Sequence, residues 1–220
     1  MSRTEIDAFV RALNSAYEVV GVRDKRGRLS LGPIEDPAEL VLEFPPRVHS
    51  PKTLLFPNWE KLFRFRLGGK VLLEAEKAAA PRVVFGMHPC DLHAVRILDD
   101  CLFDGEADSA YRAKREATLL IGVDCQPDEH CFCTSMGTDR AGDGFDLFLH
   151  RDGGEYLVQT GSARGDRLLE RHAPQVLTKE QEPPLPLQVK ECASRLDFPV
   201  ESLAPLLEGA YDHPAWQEVG

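Results

Sequence analysis

Four of the six cysteines in this 220-residue chain stand in two short segments, Phe85-Gly-Met-His-Pro-Cys-Asp and Gly122-Val-Asp-Cys-Gln-Pro-Asp-Glu-His-Cys-Phe-Cys-Thr. Cys90, Cys125, Cys131 and Cys133 form a four-thiolate set, and four thiolates suit a metal centre. The second segment reads C-x5-C-x-C, which is neither of the common ferredoxin spacings. Structural zinc sites favour paired C-x2-4-C knuckles, so one distant cysteine plus this layout is better suited to wrapping a larger inorganic core. A [4Fe-4S] cluster is the favoured occupant; zinc is the main rival, and a metal-free site is the third reading.

The neighbouring residues are weighed against the same chemistry. His88, His93 and His130 flank the thiols and could ligate, although flanking histidines more often support a site than bind its metal. A cysteine nucleophile with a histidine base needs one thiolate, and three more converging on it argue against a hydrolase. Cys101 is expected as a small buried hydrophobe on a helix stripe, and Cys192 as incidental in a charged segment. In Cys131-Phe-Cys133 an extended backbone would turn both thiols to one side and let Phe132 pack as a dry wall. Thr134-Ser-Met-Gly-Thr138 offers small donors near sulfur. Gly161-Ser-Ala-Arg-Gly165 lacks full phosphate-loop spacing and reads as a turn before a helix.

Each cysteine segment follows an apolar run that reads as a buried parallel strand, Val83-Val84-Phe85 and Leu119-Leu120-Ile121-Gly122-Val123. Parallel strands end on one edge, so a right-handed crossover helix would bring Cys90 and Cys125 together there. That helix would start near Asp91, a candidate cap, and carry Ala94, Ile97, Leu98, Cys101 and Leu102 as its apolar stripe. Cys90 would lie at its N-terminus, where free N–H groups favour a thiolate.

The remaining elements are scaffold. Ser2-x-x-Glu5 resembles a capping box, and Ile6, Phe9, Val10, Leu13 and Tyr17 predict an amphipathic helix from residue 3 to about 19. Residues 21–59 are turn-rich and should wrap rather than carry chemistry. Lys70-Val-Leu-Leu-Glu is a further strand candidate, and Asp152-Gly153-Gly154 between two alternating runs predicts a hairpin. Pro183-Pro184 and Pro186 mark a linker before a helical tail, residues 187–220. Leu203, Leu206, Leu207, Tyr211 and Trp216 should pack on the body or on a partner. The expected fold class is α/β, a parallel or mixed sheet with an N-terminal helix and a helical C-terminal tail. Its divisions are an N-terminal helix and wrapping segment (1–66), a cluster-binding core (67–165) and the tail (166–220), together one compact domain.

With 43% hydrophobic residues, the chain can bury a substantial core. Its 26 basic and 36 acidic residues give a net charge of -10, and no basic stripe interleaves with aromatics, so nucleic acid is not an expected partner. No run nears the roughly 18 apolar residues of a membrane span, and the N-terminus lacks the order of a signal peptide. A cytoplasmic protein without membrane insertion is expected, in a compartment where cysteines serve as thiols and ligands rather than disulfides.

Several segments together resemble the β subunit of cytosolic sulfhydrogenase-type nickel–iron hydrogenases and the iron–sulfur subunit of anaerobic sulfite reductase. They are Ser50-Pro-Lys-Thr-Leu-Leu-Phe-Pro-Asn-Trp-Glu-Lys-Leu-Phe, Pro89-Cys-Asp-Leu-His-Ala, Cys131-Phe-Cys-Thr-Ser-Met-Gly, Gly144-Phe-Asp-Leu and His213-Pro-Ala-Trp. The resemblance implies a non-catalytic iron–sulfur electron-transfer subunit of an oxidoreductase. Its partners would be a flavin-containing, NAD(P)H-linked subunit and a hydrogenase or reductase catalytic subunit. It also implies cluster ligation by Cys90, Cys125, Cys131 and Cys133. Relatives of this kind continue beyond the equivalent of Trp216 into a ferredoxin-like segment with two cysteine-rich motifs, which this sequence does not include. The alternatives are a zinc-stabilised interaction module of such a complex and a free-standing thiol or flavin oxidoreductase, although no convincing flavin motif is present.

Overall fold

The computed structural model describes residues 1–46, 48, 50–61, 63–65, 73–75, 79–105, 108–178, 200, 203–210 and 212–218. Its centre is a mixed six-stranded sheet formed by β1 (Glu18–Asp24), β2 (Leu29–Pro33), β5 (Arg82–Met87), β6 (Thr118–Val123), β7 (Leu147–Asp152) and β8 (Glu155–Thr160), in the order β2-β1-β5-β6-β7-β8. The four inner strands run parallel, and each edge strand is the antiparallel arm of a hairpin. This is an α/β fold. The parallel strands are buried on both faces, which is why their sequences read as unbroken apolar runs.

Alternation sorts their side chains between two cores. Val83, Phe85, Leu119, Ile121, Leu147 and Leu149 meet Ile6, Phe9, Val10 and Leu13 of α1 (Arg3–Leu13) and Leu168 and Leu169 of α4 (Ala163–His172). On the opposite face Val84, Met87, Leu120 and Phe148 meet Leu92 and Val95 of α2 (Pro89–Phe103) and Tyr111 of α3 (Ser109–Ala117). The register of β5 on β6 shifts between Phe85 and Met87, where Gly86 has φ +85. This bulge breaks strict alternation, puts Met87 on the same face as Val84, and aims the chain toward α2.

The predicted capping box is present, with Ser2 and Glu5 bonding reciprocally, but α1 stops at Leu13 rather than near 19. Tyr17 lies beyond the helix and still packs on the core. The predicted hairpin joins β7 to β8, with Gly153 at φ 55 and Gly154 at φ 99, the left-handed pair that a two-residue turn needs. Gly161–Gly165 is the expected turn, in which Ser162 caps α4 by accepting the Gly165 N–H at 3.1 Å.

Four expectations change. The segment expected only to wrap supplies β1 and β2, because β1 pairs in parallel with β5. Residues 73–75 form β4 (Leu73–Ala75), which pairs with β3 (Phe63–Phe65) in a separate two-stranded sheet; the remainder of that strand prediction lies outside the described residues. The buried stripe of α2 is Leu92 and Val95 followed by half-buried Leu98 and Leu102, so Ile97 and Cys101 face outward. In the tail, α5 (Leu203–Ala210) leaves Leu206, Leu207 and Trp216 exposed instead of packed on the body. Tyr211, Cys192 and the Pro183–Pro186 linker lie outside the described residues. Among the described residues, no helix is long and apolar enough to cross a membrane.

Candidate metal centre

Cys90 is the second residue of α2. Pro89 occupies the first turn with its ring-fixed φ, and His88, in extended conformation, is the N-cap. Asp91, expected as a cap, instead lies inside the first turn, where its carboxylate accepts the Ser50 hydroxyl at 2.5 Å. Ser50 immediately precedes a short 3-10 helix, Pro51–Leu54, yet makes no side-chain cap bond there. Its hydroxyl therefore ties the preceding segment to the turn that carries Cys90.

Cys125 follows β6, and its departure from the sheet is set by Asp124. The Asp124 N–H extends the ladder to the Leu149 carbonyl at 3.2 Å, while its carboxylate accepts the Arg151 N–H at 2.7 Å. Cys131 is held by a turn at Asp128, whose N–H lies 3.3 Å from the Cys131 sulfur and whose carboxylate accepts the His130 N–H at 2.9 Å. Cys133 opens the next turn, in which the N–H groups of Met136 and Thr138 return to its carbonyl at 3.1 and 2.9 Å. Those two donors are thus engaged with a backbone oxygen. Phe132, expected to pack as a wall, is 50% exposed, because this turn directs it away from either core.

The four thiols act on one another electrostatically. Burial pushes Cys90 up to about 11, aided by the Asp91 charge and opposed by a side-chain hydrogen bond with Cys133 and by the Asp91 N–H. Burial also raises Cys125, with further contributions from Cys90, Cys131, Cys133 and Asp91. Cys131 reaches about 11, chiefly through burial, while the Asp128 N–H opposes the rise. Cys90, Cys125, Cys131 and Cys133 are free of disulfides. At neutral pH the thiols are protonated, and ionising them together requires a positive centre, so loading would release protons. This donor set fits a thiolate-bound group. Among the described residues, no three His, Cys, Asp or Glu side chains stand close enough together to hold a single metal ion.

The flanking histidines are engaged elsewhere. His88 is buried and stacked on Phe44 with centroids 4.2 Å apart, and burial lowers its pKa to about 4. His93 Nε2 lies 2.8 Å from the Arg140 carbonyl, and His130 pairs with Glu129 at 3.5 Å.

The chain is 35% identical over 127 residues to the Sulfhydrogenase 2 subunit beta of Pyrococcus furiosus, an alignment covering 58% of this chain. This chain is related to the sulfhydrogenase β subunits. The match spans 37% of that relative's length. No family model matches the chain, and no solved structure matches it.

Residue spacing alone did not reveal the contributions of Ser50, Asp91 and Asp124. The available signals were the Ser50-Pro pair, which ends one segment and opens another, and the acidic residues directly beside Cys90 and Cys125. Only packing shows that these groups meet partners far away in sequence.

Proposed function

We propose that this chain holds a [4Fe-4S] cluster on Cys90, Cys125, Cys131 and Cys133 and serves as an electron-transfer subunit of a multi-subunit redox complex. Its electrons would pass between a flavin-containing, NAD(P)H-linked subunit and a catalytic subunit of the hydrogenase or sulfur- or sulfite-reductase type. The single observation that carries this role is the mutual electrostatic influence of four thiols supplied by the start of α2, the end of β6 and the following loop. The relative's name supports it, since it designates one subunit of a sulfhydrogenase.

When bound, the cluster supplies one-electron redox chemistry. The protein supplies ligands, position and polarity. N–H groups of Asp91 and Asp128 lie against the sulfurs of Cys90 and Cys131, and such donors stabilise negative charge on a thiolate. The strand and helix ends hold Cys90 and Cys125 on ordered backbone, which limits the rearrangement that accompanies electron transfer.

Anaerobic reconstitution followed by metal and sulfide analysis tests the assignment. The expected result is about four irons and four sulfides per chain with a broad charge-transfer absorption. Serine at position 90, 125, 131 or 133 should abolish or convert the cluster, whereas Cys101→Ser and Cys192→Ser should retain it. Stoichiometric zinc without sulfide in protein kept from oxygen refutes the assignment and favours a zinc-stabilised module.

A further inference from the structure

We propose that Asp124 and His150 are positioning residues for Cys125, converting the packed ends of β6, β7 and β8 into one fixed exit for the chain. The inference rests on the iron–sulfur role proposed above and concerns how the chain orients its Cys125 ligand.

Asp124 is the last residue of β6's ladder and the residue immediately before Cys125. One carboxylate oxygen accepts the Arg151 N–H at 2.7 Å, and the other faces His150 Nδ1 at 3.4 Å. His150 is locked in turn. Its Nε2 lies 2.8 Å from Gln159 Oε1 on β8, and the Phe148 ring packs beside it at a centroid distance of 4.7 Å. Both ring nitrogens face oxygen atoms, an arrangement that an imidazolium, with two N–H donors, can satisfy.

The Asp124 and His150 side chains are 20% and 15% exposed, so solvent weakens their attraction only in part. Arg151 contributes its N–H here, since its guanidinium pairs with Glu43 at 3.2 Å. Asp124 is therefore bound through its N–H, one oxygen and the other oxygen to three different groups. Without these restraints, Cys125 would enter directly into a loop whose next cysteine anchor is the Asp128 turn. The pair also sets charge. A His150 cation balances the Asp124 carboxylate beside the ligand, and reducing a thiolate-bound centre adds negative charge at that place.

Two measurements test this in the full chain. In the metal-free form, Cys125 alkylation by iodoacetamide is followed by peptide mass spectrometry in wild type, Asp124→Ala and Asp124→Asn. Asp124→Ala is expected to react several-fold faster, and Asp124→Asn, which retains an acceptor for the Arg151 N–H, to return toward wild type. In the reconstituted form, the midpoint potential of His150→Gln is expected to fall below that of wild type, because a cation is lost while the Asp124 carboxylate remains. Equal alkylation rates in Asp124→Ala and wild type, or an unchanged potential in His150→Gln, overturn the inference. If Asp124→Ala does not fold, the His150→Gln potential decides. A wild-type chain that takes up no iron and sulfide refutes the proposed function, and the alkylation rates then decide the positioning role.

Discussion

Replacing Ser50 by Ala isolates one bond that orders the turn carrying Cys90. The Ser50 hydroxyl donates to Asp91 at 2.5 Å and makes no capping bond to its own 3-10 helix, so the substitution removes the link without uncapping that helix. The partner is a carboxylate whose pKa is raised by burial and lowered again by the Ser50 hydrogen bond, Lys52 and the His88 backbone. A hydrogen bond to a charged group contributes about 1.5–3 kcal/mol. With a urea slope of roughly 2 kcal/mol/M, the unfolding midpoint should drop by about 1 M.

The pH dependence of Ser50→Ala adds a second check. Folded Asp91 holds its proton to higher pH than the unfolded carboxyl, which titrates near 3.8, so its burial costs stability as pH rises through the raised pKa. Ser50 offsets part of that cost only while Asp91 is ionised. The loss in Ser50→Ala should therefore be largest near neutrality and shrink to about 1 kcal/mol or less in acid, where a neutral bond remains. Urea titrations at several pH values, with metal-free protein throughout, measure both quantities. A midpoint change below about 0.2 M at neutral pH, or a loss that grows in acid, refutes the role assigned to this bond.

Three further outcomes follow from the fold. Asp146 is 6% exposed and accepts the Leu120 N–H at 2.8 Å and the Ser162 hydroxyl at 2.6 Å, so Asp146→Ala should lose about 3–5 kcal/mol in urea unfolding by orphaning a buried donor and loosening the cap of α4. Gly86→Ala meets no atom closer than 3.7 Å, so its loss of about 1–2 kcal/mol should come from the positive φ at the bulge, and a neutral effect in calorimetry would show that the bulge relaxes freely. His88 titrates near 4 in the folded chain against 6.5 unfolded, so the unfolded chain binds more protons between those values and stability falls as pH drops through that window. The shift corresponds to about 3 kcal/mol, and His88→Gln should remove that component when its pH profile is subtracted from wild type.

The chain's own order established the cysteine segments, the two buried strands before them, the capped N-terminal helix and the β7–β8 hairpin, because each depends on neighbours close in sequence: apolar runs, a reciprocal cap and a glycine pair. Which face of α2 turns inward was decided by packing. Gly86 shifts the register of β5, and the helix that follows buries Leu92 and Val95 while leaving Ile97 and Cys101 outside, a rotation that a tolerant apolar stripe does not specify. Phe132 was misread for a related reason: alternation assumes an extended strand, and the chain turns at Cys133 instead. Ser50 with Asp91 and Asp124 with His150 were likewise beyond reach from sequence alone. Each is a polar pair joined across distant segments, and its value depends on a hydrogen-bond distance that only the folded sheet and its covering helices determine.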